Sequence, residues 1–526
     1  MSEKPQLSRE EKKRRILYRK RRKIIFPVAR LTALIMAAIT LVFFIVIAFL
    51  GVLPFKYVAI IGLVLLIINA ILALLAFGRK VKNSTKVFQT VTSWILCVLM
   101  IIGSIKLPAY KAKIEKMFNK VPLEKEVVYN VYVMSDSSYG SMKDLESSTL
   151  GVQSNMNDEE VTYIFERLSE KMNTKNTTQK NCHSVVDAVN KLYNGITDAI
   201  VLKESSASIL NGYDEYKDFA TKARILYTFK RTERLSFETD AVKSITTTPF
   251  IVGIVGNDEW FLDDISKTDG FRSDVNMLVV VNPNTSQVLL ISVPRDSYVA
   301  LDGDSNKMDK LTHATVTTGI EGWINTLEGM LDINMNYFVK VNFSSVVRII
   351  DALGGIDVDN PYAFRTNAYA HFDEKSGERL YEWISFSEGP IHLNGEEALA
   401  YVRERYSLPD GDLGRNMHQT LVVKALVKKA VSPDIISKVD RLLDALKGTF
   451  LTNMETKQIL ELGRMQLDKN PDWEIMNVAL KGYVDYAYSW ELNDERSMLM
   501  LDSESVNKAT YYIKALLNGE RISVGN

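Results

Sequence analysis

Three long runs without a charged side chain open the chain, at residues 31–55, 57–78 and 87–105. A bilayer core takes about 20 apolar residues as helix, and each run reaches or approaches that length. None alternates with polar residues as an amphipathic core helix does, so the pattern predicts three transmembrane helices. The first run is too long for a signal-peptide core, and no small-residue cleavage site followed by polar sequence comes after it. Beyond residue 120 the apolar runs become short. Residues 127–133 alternate as a strand, and 135–141 form a turn-rich piece in which Asp136 and its serine neighbours read as turn residues. Residues 158–172 and 185–193 read as helices and 198–201 as a strand, together a small α/β accessory domain over 124–245.

From Thr247 onward the runs become more β-rich. Residues 250–255 read as a buried strand, and 277–281 and 288–293 as two strands around Asn282-Pro283-Asn284-Thr285-Ser286-Gln287, an antiparallel hairpin. Its centre falls between residues 284 and 285, which sets Asp274 opposite Arg295. Arg272-Ser273-Asp274 and Pro294-Arg295-Asp296 then meet at one end, either as strand-end salt bridges or as a site. A strand at 337–343 leads to a helix at 344–353 with a serine cap and a stop at Gly354-Gly355. A short strand follows at 356–358. Leu393-Asn394-Gly395 opens a helix that runs into Arg403-Glu404-Arg405. Arg415 and Gln419 share a helix face, and 473–480 and 505–517 supply further elements.

Charge changes this picture more than composition does. The 526 residues carry 64 Lys/Arg and 64 Asp/Glu, but residues 1–120 hold 22 Lys/Arg against 4 Glu, and the remainder is correspondingly acidic. The basic residues crowd into the first 30 positions and into Arg79, Lys80, Lys82 and Lys86 after the second run, whereas the first loop has only Lys56. By the positive-inside bias, residues 1–30 form a basic cytoplasmic terminus, 31–107 cross the membrane three times, and the remainder lies outside. Lys106, Lys111, Lys113, Lys116 and Lys120 run against that bias but are less dense. Anionic lipid accounts for the basic terminus, so no nucleic-acid partner is expected. Cys97 and Cys182 fall on different sides of the predicted membrane boundary and form no disulfide.

The outer part gathers arginines near aspartates. Arginine recognises phosphate bidentately, and hard carboxylates suit Mg²⁺ bridging a substrate phosphate, which together is the chemistry of a pyrophosphate site. The five histidines lack zinc spacing. No Walker A run is present, and Gly253-Ile254-Val255-Gly256 alone is no dinucleotide fingerprint.

The strings RSDVNMLVVVNPNTSQVLLISVPRDSYV, DKLTHA, DALGGIDV, LNGEEALAYVRER and DLGRNMHQ, in this order, resemble the LytR-CpsA-Psr (LCP) family. The three spans resemble its capsule-type branch of Gram-positive bacteria. The resemblance implies a catalytic domain over 246–520 with a mostly antiparallel, mixed central sheet flanked by helices, enclosing a hydrophobic lipid tunnel. The whole would be three transmembrane helices followed by extracellular α/β (α+β) domains. It implies a Mg²⁺-dependent phosphotransferase of the cell membrane. The enzyme would move a capsular or teichoic-acid-like glycopolymer from undecaprenyl pyrophosphate to peptidoglycan, with other capsule-assembly proteins as further partners. Residue by residue, it implies pyrophosphate binding by Arg272, Arg295, Lys310, Arg403, Arg405, Arg415 and Gln419. It implies metal binding by Asp258 and Asp274, and catalytic weight on Asp274, Arg295, Arg405 and Asp412. The stretch from Gly256-Asn257-Asp258 to Arg272 is longer than the family pattern. Two alternatives stay open, a lipid-pyrophosphate hydrolase with water as acceptor and a non-enzymatic regulator of capsule synthesis.

Overall fold

The computed structural model describes residues 9–51, 53–117, 124–153, 158–210, 214–234, 241–257, 271–367, 370–372, 379–381, 383–432, 438, 441–442, 444–445 and 450–524. It divides into two compact units, residues 1–118 with 459–470, and the rest.

The first unit contains the helices Arg9–Leu50, Phe55–Phe77 and Asn83–Met117, each long and apolar enough to cross a membrane, and most of helix Thr456–Lys469. The first ends five residues before the apolar run does. Gly51 adopts φ +60° there and Pro54 precedes the next helix, so the chain turns where hydropathy alone continues. The helix also starts well inside the basic terminus, at Arg9. Arg22 donates to the Arg79 carbonyl at 2.6 Å, which puts the basic terminus and the second loop at one end of the bundle. Lys86 is fully buried, bonds the Leu75 and Ala76 carbonyls and lies over the Phe26 ring. It thus satisfies the orphan acceptors at the end of the second helix.

The second unit holds two larger sheets. One has the strand order 178–182, 149–153, 199–203, 124–134, 223–234. Its 149–153 strand is parallel to both neighbours, while 124–134 is antiparallel to both of its own. Period-two alternation sends Tyr129, Val131 and Val133 toward Ile164 and Leu168, and Tyr132, Ile200 and Leu202 toward Val185, Val189 and Leu192. Both faces are therefore covered. Cys182 is buried and unpaired, as is Cys97.

The other sheet has the order 450–452, 337–342, 250–257, 275–282, 287–292, 474–479, with antiparallel pairing at its centre and parallel pairing of 337–342 with 250–257 and of 474–479 with 287–292. Ile251, Leu278, Val280, Leu289 and Ile291 pack on Trp323 and Leu327 of helix Leu311–Leu331 and on Ile513 and Leu516 of helix Ser503–Leu517. A Cβ on Gly253 would collide with Met335 Sδ and meet Trp323 of the 311–331 helix at 2.8 Å, so that glycine serves helix packing. The opposite face carries Met277, Val279, Val288 and Leu290 with Val423 and Trp473, while Val252, Ile254, Val339 and Val341 on it remain only half buried.

The cap of helix Phe343–Ala352 is Asn342, not Ser344. Its side chain accepts from Ser345 N at 2.9 Å in a capping box. Helix Gly395–Arg403 is capped by Asn394, which exchanges bonds with Glu397.

Candidate functional site

The hairpin ladder pairs Met277 with Ser292 and Asn282 with Gln287. Continued outward, that register sets Asp274 opposite Arg295, and Arg295 Nη1 donates to Asp274 Oδ1 at 2.6 Å. Arg295 Nε lies 3.6 Å from Asp296 Oδ2, and Lys310 Nζ donates to Asp296 Oδ1 at 2.9 Å. Backbone bonds fix the two segments. Thr312 N donates to Arg295 O, Ser273 N to Thr312 O and Asp274 N to Gly256 O. Trp323 Nε1 bonds Asn276 Oδ1, and Asn276 in turn donates to Ser273 O. The start of the 311–331 helix thus stitches Arg272-Ser273-Asp274 to Pro294-Arg295-Asp296.

Helix Asp412–Ala430 brings the remaining charges. Gly411 precedes it at φ +52°, a conformation open to glycine. Asp412 stands in its first turn, where the helix dipole favours an anion. Arg415 Nη2 lies 2.6 Å from Asp412 Oδ1, and Arg405 Nε lies 3.2 Å from Asp412 Oδ2. Burial works against the Arg295 charge, but Asp274 and Asp296 outweigh it and raise its pKa, with Asp412 adding to them. Arg415 goes the other way. Burial, followed by the positive charge of Arg295, pulls its pKa below the ordinary value, although Asp412, Asp274 and Asp296 oppose this. Asp296 is held low because Lys310 and Arg295 overcome its desolvation. An arginine does not deprotonate in a protein. The depressed pKa of Arg415 therefore records a positive charge that is buried first and crowded by Arg295 second, which an anion would relieve.

The hydrogen bonding carries the same message. Among the described residues, the buried Nε atoms of Arg272, Arg295 and Arg415, and Nη2 of Arg415, find no hydrogen-bond acceptor. The short Arg415–Asp412 approach is thus an ion pair without hydrogen-bond alignment. A buried donor left unmade costs about 1–3 kcal/mol. A ligand rich in acceptor oxygens satisfies several at once.

Ion pairs join Arg295, Asp274 and Lys310 through Asp296 in one group and Arg405, Asp412 and Arg415 in another, and the charges of the two groups act on one another. Arg272 lies two residues before Asp274 on the same segment. Arg403 ends the 395–403 helix with its guanidinium 4.9 Å over the Phe343 ring. Gln419 is buried one turn beyond Arg415. Asp258 lies outside the described residues. Among the described residues no group of three or more His, Cys, Asp or Glu is arranged to hold a metal. Asp274 and Asp412 are the carboxylates of the cluster that could join substrate phosphate oxygens around Mg²⁺, which takes one or two carboxylates in its usual role.

Two features escaped the sequence reading. Asp296 joins the cluster through Lys310. Asp309, fully buried, accepts from Ser489 Oγ, Glu491 N and Lys310 N and lies 3.0 Å from His313 Nδ1. Burial opposes its charge, but His313 outweighs that and holds its pKa down. Glu491 Oε1 accepts from Val185 N, and His183 Nε2 meets Trp490 O at 2.8 Å. The strand that carries Lys310 is thereby tied to the 124–234 sheet. The i,i+4 spacing of Asp309 and His313 within DKLTHA was the available signal.

His418, beside Gln419, is buried in an aromatic stack, 4.0 Å from the Tyr401 ring centroid and 5.0 Å from that of Phe364. Desolvation pulls its pKa down to about 4. Between that value and about 6.5 the unfolded chain binds the proton more readily. Its contribution is thus complete above pH 6.5 and is lost as pH falls toward 4. Melting temperatures of the parent should drop across this window, and His418→Phe should flatten that part of the slope.

The chain belongs to the LytR_cpsA_psr family, whose model matches residues 216–511. Among its relatives, the polyisoprenyl-teichoic acid–peptidoglycan teichoic acid transferase TagU of Bacillus licheniformis is 34% identical over 206 residues, 39% of this chain and 60% of TagU. That of Enterococcus faecalis is 30% identical over 263 residues, 49% of this chain and 80% of the relative. The crystal structure of TagV from B. subtilis is similar over 52% of this chain and 98% of TagV, at 26% identity and a TM-score of 0.42.

Proposed function

We propose that the chain is a membrane-anchored phosphotransferase that moves a glycopolymer from undecaprenyl pyrophosphate to peptidoglycan outside the cell. The observation that carries this is the set of buried guanidinium atoms around Arg295 and Arg415 that find no acceptor among the described residues. Transferase names among the family relatives support it. An acceptor sugar hydroxyl attacks the phosphorus attached to the glycopolymer. A new P–O bond forms, the bond to the bridging oxygen breaks, and undecaprenyl phosphate leaves with the electron pair. Arg295, Arg405 and Arg415 stabilise the charge growing on the phosphate oxygens. A carboxylate of the cluster, Asp274 or Asp412, takes the hydroxyl proton. Mg²⁺, held by Asp274 with Asp258 as the second candidate, would neutralise phosphate charge when bound.

The half-buried apolar sheet face of Val252, Ile254, Val339 and Val341 suits a polyprenyl chain, since it is apolar yet incompletely covered. The 246–520 region would then be the catalytic domain and 124–245 an accessory domain. In a strain lacking the protein, a sugar polymer should move from the covalently bound wall fraction to the free or lipid-linked fraction. An unchanged wall fraction contradicts the proposal.

The same reading places residues 1–30 in the cytoplasm and everything beyond the third helix outside. Protease added to intact protoplasts should remove the part beyond about residue 110 and spare the N-terminus, as three spans of bilayer length and the positive-inside bias require. Protection of the C-terminal part contradicts this topology.

A further inference from the structure

Strands Gly482–Ser489 and Asp494–Leu501 form a separate two-stranded ribbon. Its register pairs Val484 with Leu499, Tyr486 with Ser497 and Tyr488 with Glu495. Directly paired residues of an antiparallel ladder share a face, so Val484, Tyr486 and Tyr488 form a row with the buried Leu499 and the exposed Ser497 and Glu495 beside them. Val484 is 70% exposed, Tyr486 71% and Tyr488 44%. The other face is mixed: Tyr483 and Asp485 are exposed on it, Met498 is buried, and Arg496 lies 3.6 Å from Glu215 of the neighbouring domain.

This ribbon is bonded to the arginine site itself. Leu499 N donates to Asp296 O at 2.8 Å, Ser297 and Leu499 form a parallel bridge, and Tyr298 Oη donates to Tyr488 O at 3.1 Å. The loop that carries Arg295 and Asp296 therefore continues by backbone bonds into the tyrosine ribbon.

We infer that the exposed Val484–Tyr486–Tyr488 face binds the saccharide strand of the acceptor. The inference rests on the proposed transfer reaction and adds to it the place where the acceptor is held. The reaction needs a sugar hydroxyl beside the Arg295–Asp296 loop, and this face leads away from that loop. A pyranose has a C–H face and a hydroxyl rim. Tyrosine offers the matching pair, a rigid apolar ring and a hydroxyl, at small entropic cost. The surrounding charges select against other occupants. Glu495 on this face and Asp485 on the other are acidic and exposed, while Asp494 is paired with Arg496 at 3.5 Å; the negative charge that remains repels an anionic membrane surface and a phosphate-rich polymer alike but leaves a neutral sugar chain unhindered.

The test uses the full chain in nanodiscs and purified peptidoglycan sacculi. Val484→Ser/Tyr486→Ser should weaken co-sedimentation with sacculi by at least about tenfold, equivalent to about 1.4 kcal/mol. It should raise the acceptor KM, and leave the melting temperature and the binding of undecaprenyl pyrophosphate unchanged. Tyr486→Trp, which keeps a ring, should retain binding. Parent-like sacculus binding by the double variant overturns the inference, as does a loss of binding to anionic vesicles instead. Arg295→Ala should still bind sacculi, so failure of the ribbon assignment is separable from failure of the transferase assignment. The first appears in sedimentation and the second in turnover.

Discussion

Replacing Arg295 by alanine should lower glycopolymer transfer by at least about a hundredfold, since each charge-assisted bond to phosphate contributes about 1.5–3 kcal/mol and every 1.4 kcal/mol is tenfold. The variant also strips Asp274 of its 2.6 Å partner and Asp296 of a neighbouring charge. Breaking a buried pair from one side costs about 3–5 kcal/mol, and this pair is partly exposed, so a smaller fall in melting temperature should accompany the loss of activity. Arg295→Lys separates the two effects. It restores a charge beside Asp274 and most of the stability, but a single ammonium lacks the planar fork that spans two phosphate oxygens. Transfer should stay down by about tenfold or more. Arg405 is more exposed and meets only Asp412 among the carboxylates described, at 3.2 Å. Arg405→Ala should therefore lose most transfer with little change in stability. Activity close to the parent's in both alanine variants, at equal protein levels, would refute the assignment.

Asp274→Asn should be nearly as damaging, and its metal dependence distinguishes two roles. Asparagine keeps the shape but removes a hard anionic ligand. If Asp274 holds Mg²⁺, activity should fall strongly, and the Mg²⁺ concentration giving half-maximal rate should move upward. If Asp274 serves only to pair with Arg295, the variant should melt at a lower temperature with an unchanged Mg²⁺ curve. The crowding of Arg415 by Arg295 adds a consequence. Weakening the Asp274 anion leaves more uncompensated positive charge in the site. The variant should therefore hold inorganic pyrophosphate without metal at least as well as the parent.

The sequence made the hairpin legible because two β-rich runs flank a turn of known chemistry. Asn282 Oδ1 accepts from Asn284 N and Thr285 N, and Ser286 takes the positive φ. The register of those strands then placed Asp274 and Arg295 together without any tertiary information. Other features required the folded chain. The end of the first helix at Leu50 depends on the backbone turn at Gly51, to which hydropathy is blind. Asn342 displaces Ser344 as cap because the 337–342 strand ends there, which one-dimensional pattern does not report. Lys340, inside the 337–342 strand, is fully buried with Nζ 4.2 Å from the Phe271 ring centroid, a placement that the residue type alone does not report. Asp309 likewise looked like an ordinary polar residue of a motif. Its significance comes from Ser489 and Glu491, which only tertiary packing brings to it. The nearness of Asp412 and Arg415 to Arg295, close enough for their charges to act on one another, is long-range in the same way. Sequence supplied the residue types, while the fold supplied their crowding.

The most direct test follows a single phosphorus atom. The full chain in nanodiscs would be given undecaprenyl-pyrophosphate-linked glycopolymer labelled in the phosphate next to the sugar, together with peptidoglycan. The account predicts that the label becomes covalently bound to peptidoglycan in a phosphodiester, with one unlabelled undecaprenyl phosphate released per transfer and with neither product formed by Arg295→Ala. Label released as soluble glycopolymer phosphate, or retained on the lipid while the wild-type protein is intact, would contradict it.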